Sequence, residues 1–86
     1  MPYAQAQVRD YSDIGRDLRI LQSYATDVIR VDNGWMTCTG LYSMTTRKHI
    51  SAFIREYYPE LSFQTVKALA MSGDCLNLLT GETEKH

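Results

Sequence analysis

The dipeptide Asn33-Gly34, set between two apolar-rich runs, constrains the fold of this chain more than any other feature. A two-residue hairpin turn of type I′ needs positive φ at both central positions, and Asn followed by Gly accepts that at the least steric cost. The turn predicts a register: Asp32 opposite Trp35, Val31 opposite Met36, Arg30 opposite Thr37, Ile29 opposite Cys38, and Val28 opposite Thr39. Side chains alternate between faces along a strand. Ile29, Val31, Met36 and Cys38 therefore share one apolar face. Val28, Arg30, Asp32, Trp35, Thr37 and Thr39 share the other, which is mixed. Turn chemistry and face polarity agree on this register, and a slip by one residue would mix the two faces.

Downstream, Ile50, Phe53, Ile54 and Tyr57 fall at i, i+3, i+4 and i+7, one apolar stripe on a helix. Thr45 is the favoured N-cap and Ser43 the alternative. Pro59 ends the helix and disfavours helical geometry at Tyr58. The stripe is expected to lie on the apolar face of the hairpin. A second helix is expected over residues 63–72, capped by Ser62, with Phe63, Val66, Leu69 and Ala70 inward and Gly73 at a left-handed C-terminal position.

The remaining segments are less constrained. Residues 18–24 read as a strand antiparallel to residues 27–32, with Leu18 and Ile20 on one face. The intervening Ala25-Thr26 is an unconventional turn, so one bent strand is the alternative. In residues 1–17, Tyr3, Ala6 or Gln7, Val8, Tyr11, Ile14 and Leu18 recur at loosely helical spacing. Ser12 and Asp13 suit a capped turn and Gly15 interrupts, which leaves a short helix or an irregular arm. Cys75, Leu76, Leu78 and Leu79 suit further packing, a short edge strand or a subunit contact, and residues 80–86 read as a polar, frayed tail. The fold class is α+β in a single domain over residues 1–86: an antiparallel sheet of about three strands, packed by two helices, is the smallest arrangement that buries a sheet face.

At 86 residues the core is modest, and partners or self-association would add stability. A hydrophobic share of 44% excludes a disordered chain, and a net charge of −1 argues against a strongly basic nucleic-acid binder and against an acidic DNA mimic alike. The two cysteines, Cys38 and Cys75, form no CxxC or Cys/His cluster. Cys38 reads as a small core residue, and a Cys38–Cys75 disulfide is the minor alternative. The first residues lack the basic start and apolar run of a signal peptide, and no apolar run approaches the roughly 20 residues of a membrane span. The expectation is a soluble, intracellular protein with no metal or cofactor.

Candidate contact residues cluster in two places. Thr45, Thr46, Arg47, Lys48 and His49 open the first helix, where exposed N–H groups favour an anion. The alternative is a capped helix start with solvated Arg47 and Lys48. His49, the single internal histidine, either titrates at a contact or hydrogen-bonds locally, for example to Tyr42 or a strand carbonyl. No nucleophile with a supporting acid stands beside it in sequence. Trp35 lies next to the hairpin tip with Arg30 and Thr37 near, a pairing that suits an interface anchor or base stacking, unless the N-terminal segment covers it. Tyr58 is expected to be exposed at the helix end, beside a core Tyr57. Glu56, Glu60, Asp74, Glu82 and Glu84 form no acidic dyad by spacing, and no glycine-rich phosphate loop is present.

The run Ser23, Tyr24 and Thr26, then the Asn33-Gly34 hairpin, then Tyr42, Ser43, Thr45, Thr46, Lys48, His49 and Phe53, resembles a family of small uncharacterised bacteriophage and mobile-element proteins. The resemblance covers residues 23–57. It implies a small accessory protein and no reaction. Small phage proteins of this size include inhibitors of host defence, CRISPR nucleases among the targets. The functional expectation is thus a non-enzymatic protein, cytoplasmic in the host cell, that binds a host protein as an anti-CRISPR-type inhibitor, with a CRISPR-Cas component as the candidate partner. The candidate contact residues are Trp35, Arg30, Arg47, Lys48, His49 and Tyr58. The alternatives are a small nucleic-acid-binding regulator using Arg30, Arg47, Lys48 and Arg55 with Trp35 for stacking, and a homo-oligomeric structural module joined through Leu76, Leu78 and Leu79.

Overall fold

The computed structural model describes residues 5–39 and 44–85. Tyr3, Tyr42 and Ser43, all singled out in the sequence, lie outside the described residues. Six strands follow one another in chain order across one antiparallel sheet: β1 (Ala6–Asp10), β2 (Leu18–Ser23), β3 (Thr26–Asp32), β4 (Trp35–Cys38), β5 (Asp74–Asn77) and β6 (Thr83–Lys85). Two helices, α1 (Met44–Tyr57) and α2 (Phe63–Ser72), are inserted between the neighbouring strands β4 and β5. β1 and β6 are the sheet's edges. The architecture is α+β as expected, but the sheet has six strands rather than about three.

The central hairpin has the register that Asn33-Gly34 dictates. Asp32 pairs with Trp35, Val31 with Met36, Arg30 with Thr37 and Ile29 with Cys38. Asn33 and Gly34 have φ of 53° and 84°, as a type I′ turn requires. Ile29, Val31, Met36 and Cys38 are all buried. Val28 departs from its expected mixed face. The β2–β3 register shifts between Leu21 and Gln22, so that Leu21 pairs with Ile29 while Gln22 pairs with Asp27. Val28 is the extra residue of a β-bulge, and it is fully buried in the core beside Ile29.

β2 and β3 are two separate strands, not one bent strand. Tyr24 and Ala25 form the loop between Ser23 and Thr26, and Tyr24 takes a positive φ of 56°. That conformation is uncommon for a bulky residue; here a backbone bond from Tyr24 N–H to Gln5 O (2.8 Å) and one from Gln22 Nε2 to Tyr24 O (2.8 Å) hold it. The inward face of β2 is Arg19, Leu21 and Ser23, opposite Val31, Ile29 and Thr26. Leu18 and Ile20 share a face, but it is the outer one. Ile20 lies in register between Arg9 of β1 and Arg30 of β3, whose aliphatic stems suit covering an apolar side chain.

The N-terminal segment is neither a helix nor an irregular arm. Residues 6–10 alternate Ala6, Val8 and Asp10 against Gln7 and Arg9, and pair with Arg19 to Ser23 of β2. Ser12–Ile14 is one turn of 3-10 helix ended by Gly15 in the left-handed conformation. At the other end, the tail expected to fray forms β6, paired with β5 through Leu76–Thr83, Cys75–Glu84 and Asp74–Lys85. The turn between them is built by Asn77, whose Oδ1 accepts from the N–H groups of Leu79 (2.9 Å) and Thr80 (3.1 Å).

Both helices lie on the inward face. α1 begins at Met44, so Thr45 is its second residue and not its cap. Its buried stripe is Thr46, His49, Ile50, Phe53 and Ile54, the expected one extended by a polar first turn. α2 has its expected ends: Ser62 Oγ accepts from Thr65 N–H at 3.3 Å, and Gly73 has φ of 75°. Val66 and Leu69 of α2 complete the core with Leu76 of β5. Cys38 faces this core whereas Cys75 lines a cleft on the outer face, so the two thiols are separated by the sheet and no disulfide joins them.

Candidate functional site

The residues singled out in the sequence separate into four environments. The first is buried. Ser23 Oγ, at the end of β2, lies 2.8 Å from His49 Nδ1 and 3.1 Å from Thr46 Oγ1 of α1. Ser23, Thr46 and His49 are 2%, 3% and 0% exposed. The Tyr24 ring lies against the imidazole with centroids 5.8 Å apart, and burial pulls the His49 pKa below the ordinary histidine value. A hydroxyl at this distance from an imidazole has the geometry of a nucleophile and base, but this one is sealed between sheet and helix. His49 thus hydrogen-bonds within the fold, the local alternative read from the sequence, with the Ser23 hydroxyl as a partner. Thr46 and His49 stand at i and i+3 on the stripe of Ile50 and Phe53, which is the signal that placed them inward.

The second environment surrounds Tyr58. Arg19 projects from β2 toward the C-terminal end of α1, with its guanidinium carbon 4.4 Å from the centre of the Tyr57 ring and 5.7 Å from that of Tyr58. Its Nη1 donates to Tyr58 Oη at 3.1 Å, while Nη2 and Nε donate to Asp10 Oδ2 at 2.9 and 3.2 Å. Asp10 also accepts from Ser12 N–H at 3.0 Å. That backbone bond, then Arg19, hold the carboxyl at about 2. Burial pushes the Tyr58 phenol up, with Arg19 pulling the other way. Tyr58 is half-buried and engaged within the fold, its ring also tilted against that of Phe53 with centroids 5.7 Å apart, rather than exposed. Arg19 was missed in the sequence because Leu18 and Ile20 on either side compete for the inward face.

The third environment is the outer face of the sheet, which neither helix covers. Trp35 stands half-buried there, in register between Asp32 of β3 and Asn77 of β5. Arg30, Thr37 and Cys75 complete with it a cleft of about 210 Å³. A second cleft of about 280 Å³ continues past Arg30 and Thr37 toward Ile20 and Asp27. Arg30 is 3.5 Å from Asp32. β1 lies at the far edge of the sheet and does not pass over Trp35.

The fourth environment lies across the sheet, in the helical layer. Arg47, Lys48 and Arg55 line a groove of about 370 Å³ between α1 and α2, with Met44, Ala52 and Phe63 supplying apolar surface. Arg47 and Lys48 are thus brought together, but apart from Trp35 and Arg30. The three leucines offered for self-association also divide. Leu76 is in the core, Leu78 packs against it, and Leu79 is 93% exposed at the β5–β6 turn.

A protein-family model described as a family of unknown function, DUF8033, matches residues 2–66. The chain belongs to the DUF8033 family. The DUF8033 match takes in β1 to β4 and α1 and stops inside α2, with β5 and β6 beyond it. No curated protein and no solved structure matches the chain. Among the described residues, no helix is long and apolar enough to cross a membrane.

Proposed function

We propose that the chain is a non-enzymatic binding protein whose outer sheet face, centred on Trp35 and Arg30, docks on a partner protein. The observation that carries this reading is the position of Trp35. Both helices pack on one face of the six-stranded sheet, and on the other face a half-buried Trp stands beside Arg30, which lines both clefts there. Trp and Arg are the residue types that most often dominate interface energetics. The burial of Ser23 and His49 supports binding over catalysis, because this close hydroxyl–imidazole pair is closed to substrate. The resemblance of residues 23–57 supplies the class of partner: a host protein met in the host cytoplasm, with a CRISPR-Cas component as the specific form of a defence-inhibitor role.

The test is capture of the tagged chain's partner from host lysate, with and without nuclease, followed by titration of the purified partner. A stoichiometric protein that survives nuclease and binds the Trp35→Ala variant at least ~30-fold more weakly is the expected result, the magnitude of an interface hot spot. Recovery that vanishes with nuclease, or substrate turnover abolished by His49→Ala, would overturn the reading.

A further inference from the structure

We infer that the α1/α2 groove is a second docking site, independent of the outer sheet face, for a short acidic segment of a partner protein carrying a bulky apolar side chain. The wall of the groove is a basic strip. Arg47, Ser51 and Arg55 stand at i, i+4 and i+8 on α1, and Lys48 lies beside them, so the cations span about 12 Å along the helix. Among the described residues the ion pairs are Arg9–Asp27, Arg19–Asp10 and Arg30–Asp32, and none involves these three cations. The rest of the lining is apolar: Met44, which is 69% exposed, Ala52, and Phe63 at the first turn of α2. A second cleft of about 250 Å³ shares Ser51, Arg55 and Phe63 and extends the groove toward Pro59 and Leu61. The volume of about 370 Å³ is within the range of sites that enclose a ligand group, roughly 300–1,000 Å³.

Charge complementarity selects the occupant. Three cations over about 12 Å match two or three carboxylates on an extended segment of about four residues, at roughly 3.3 Å per residue. An apolar side chain between those carboxylates would meet Phe63 and Ala52. A nucleic-acid strand fits less well. Glu56 and Glu60, both exposed, follow Arg55 and end the basic strip after a short run, and the whole chain carries a net charge of −1. A strand continuing beyond the strip would meet acidic surface, whereas a short acidic segment fits within it.

The probe is a fluorescein-labelled peptide of alternating Glu and Leu, titrated by fluorescence anisotropy at low and at physiological salt. The same peptide with Gln for Glu, and a labelled oligothymidine of equal length, serve as comparisons. The acidic peptide is expected to bind saturably, with affinity falling as salt rises. The Arg47→Glu/Arg55→Glu variant, which alters a half-buried and an exposed position outside the core and retains good helix formers, is expected to lose that binding at least tenfold while keeping its circular dichroism spectrum. It should also gain affinity for the Lys-for-Glu peptide. Trp35→Ala is expected to leave the peptide affinity unchanged, which separates this site from the outer face. Absence of saturable binding, equal binding by the charge-reversed variant, or tighter binding of the oligonucleotide than of the acidic peptide would overturn the inference.

Discussion

Replacing Ser23 by Ala tests whether the buried hydroxyl cluster fastens α1 to β2. Two hydrogen bonds converge on Ser23 Oγ, from His49 and Thr46, in a site where all three residues are at most 3% exposed. A typical hydrogen bond contributes about 0.5–1.5 kcal/mol net, but taking away one partner of a buried polar group costs about 1–3 kcal/mol. With two bonds lost at a site this deeply buried, the expected destabilisation is about 2–3 kcal/mol. Against a total of about 4–13 kcal/mol for a chain of this length, that is a large fraction, equivalent to a fall in Tm of roughly 10–20 °C. Urea unfolding followed by circular dichroism measures it, with Gln64→Ala on the exposed side of α2 as a control expected within about 0.5 kcal/mol. Adding His49→Leu makes both positions apolar, so the double variant is expected to be more stable than the sum of the singles by about 1 kcal/mol. A Ser23→Ala cost under about 0.5 kcal/mol, or strict additivity with His49→Leu, would refute the reasoning.

Two further outcomes follow from the same structure. Burial depresses the His49 pKa, so the unfolded chain takes up a proton near the ordinary histidine value while the folded chain resists it; stability is present above that value and falls as pH drops below it, by at most about 1.4 kcal/mol per pH unit. Urea midpoints at pH 7.5 and pH 5.5 should show that fall, and His49→Leu should flatten it. Gly34→Ala should cost about 1–2 kcal/mol in the same assay, because φ of 84° disfavours any L side chain while the added Cβ would meet nothing within 4 Å; an unchanged midpoint would show that the turn does not hold the register.

What could be read from the sequence was local and reinforced by two signals at once. Asn33-Gly34 specified a turn, and the polarity of Ile29, Val31, Met36 and Cys38 specified the same register. Ser62 and Gly73 marked both ends of α2, and Ile50, Phe53, Ile54 and Tyr57 marked the inward side of α1. Where two signals competed, the reading failed. Leu18 and Ile20 outvoted Leu21 and Ser23 for the inward face, and only the bulge at Val28 and the Arg9–Ile20–Arg30 register explain why they lie outward. β1 was hidden because its outward positions are Gln7 and Arg9 and its inward ones include Asp10, while the chance spacing of Tyr11, Ile14 and Leu18 imitated a helix. β6, a strand of Thr, Glu and Lys, has no apolar signal at all; it exists because Asn77 turns the chain back onto β5. The candidate contacts show the same division. Their chemistry was visible, but sequence adjacency joined His49 to Lys48, whereas helical geometry put one in the core and the other on the groove.

The open edges of the sheet bear on how this protein avoids sticking to its own copies. A six-stranded sheet that does not close presents two rows of unpaired backbone groups, each a template for another chain. One edge, β6, is three residues long, fully exposed, and carries Glu84 and Lys85. The other, β1, places Arg9 and Asp10 along its length, both held in ion pairs that reach onto the neighbouring strands. Shortness at one border and fixed charge at the other make edge-to-edge stacking unfavourable, so the half-exposed region around Trp35 does not commit the protein to aggregation.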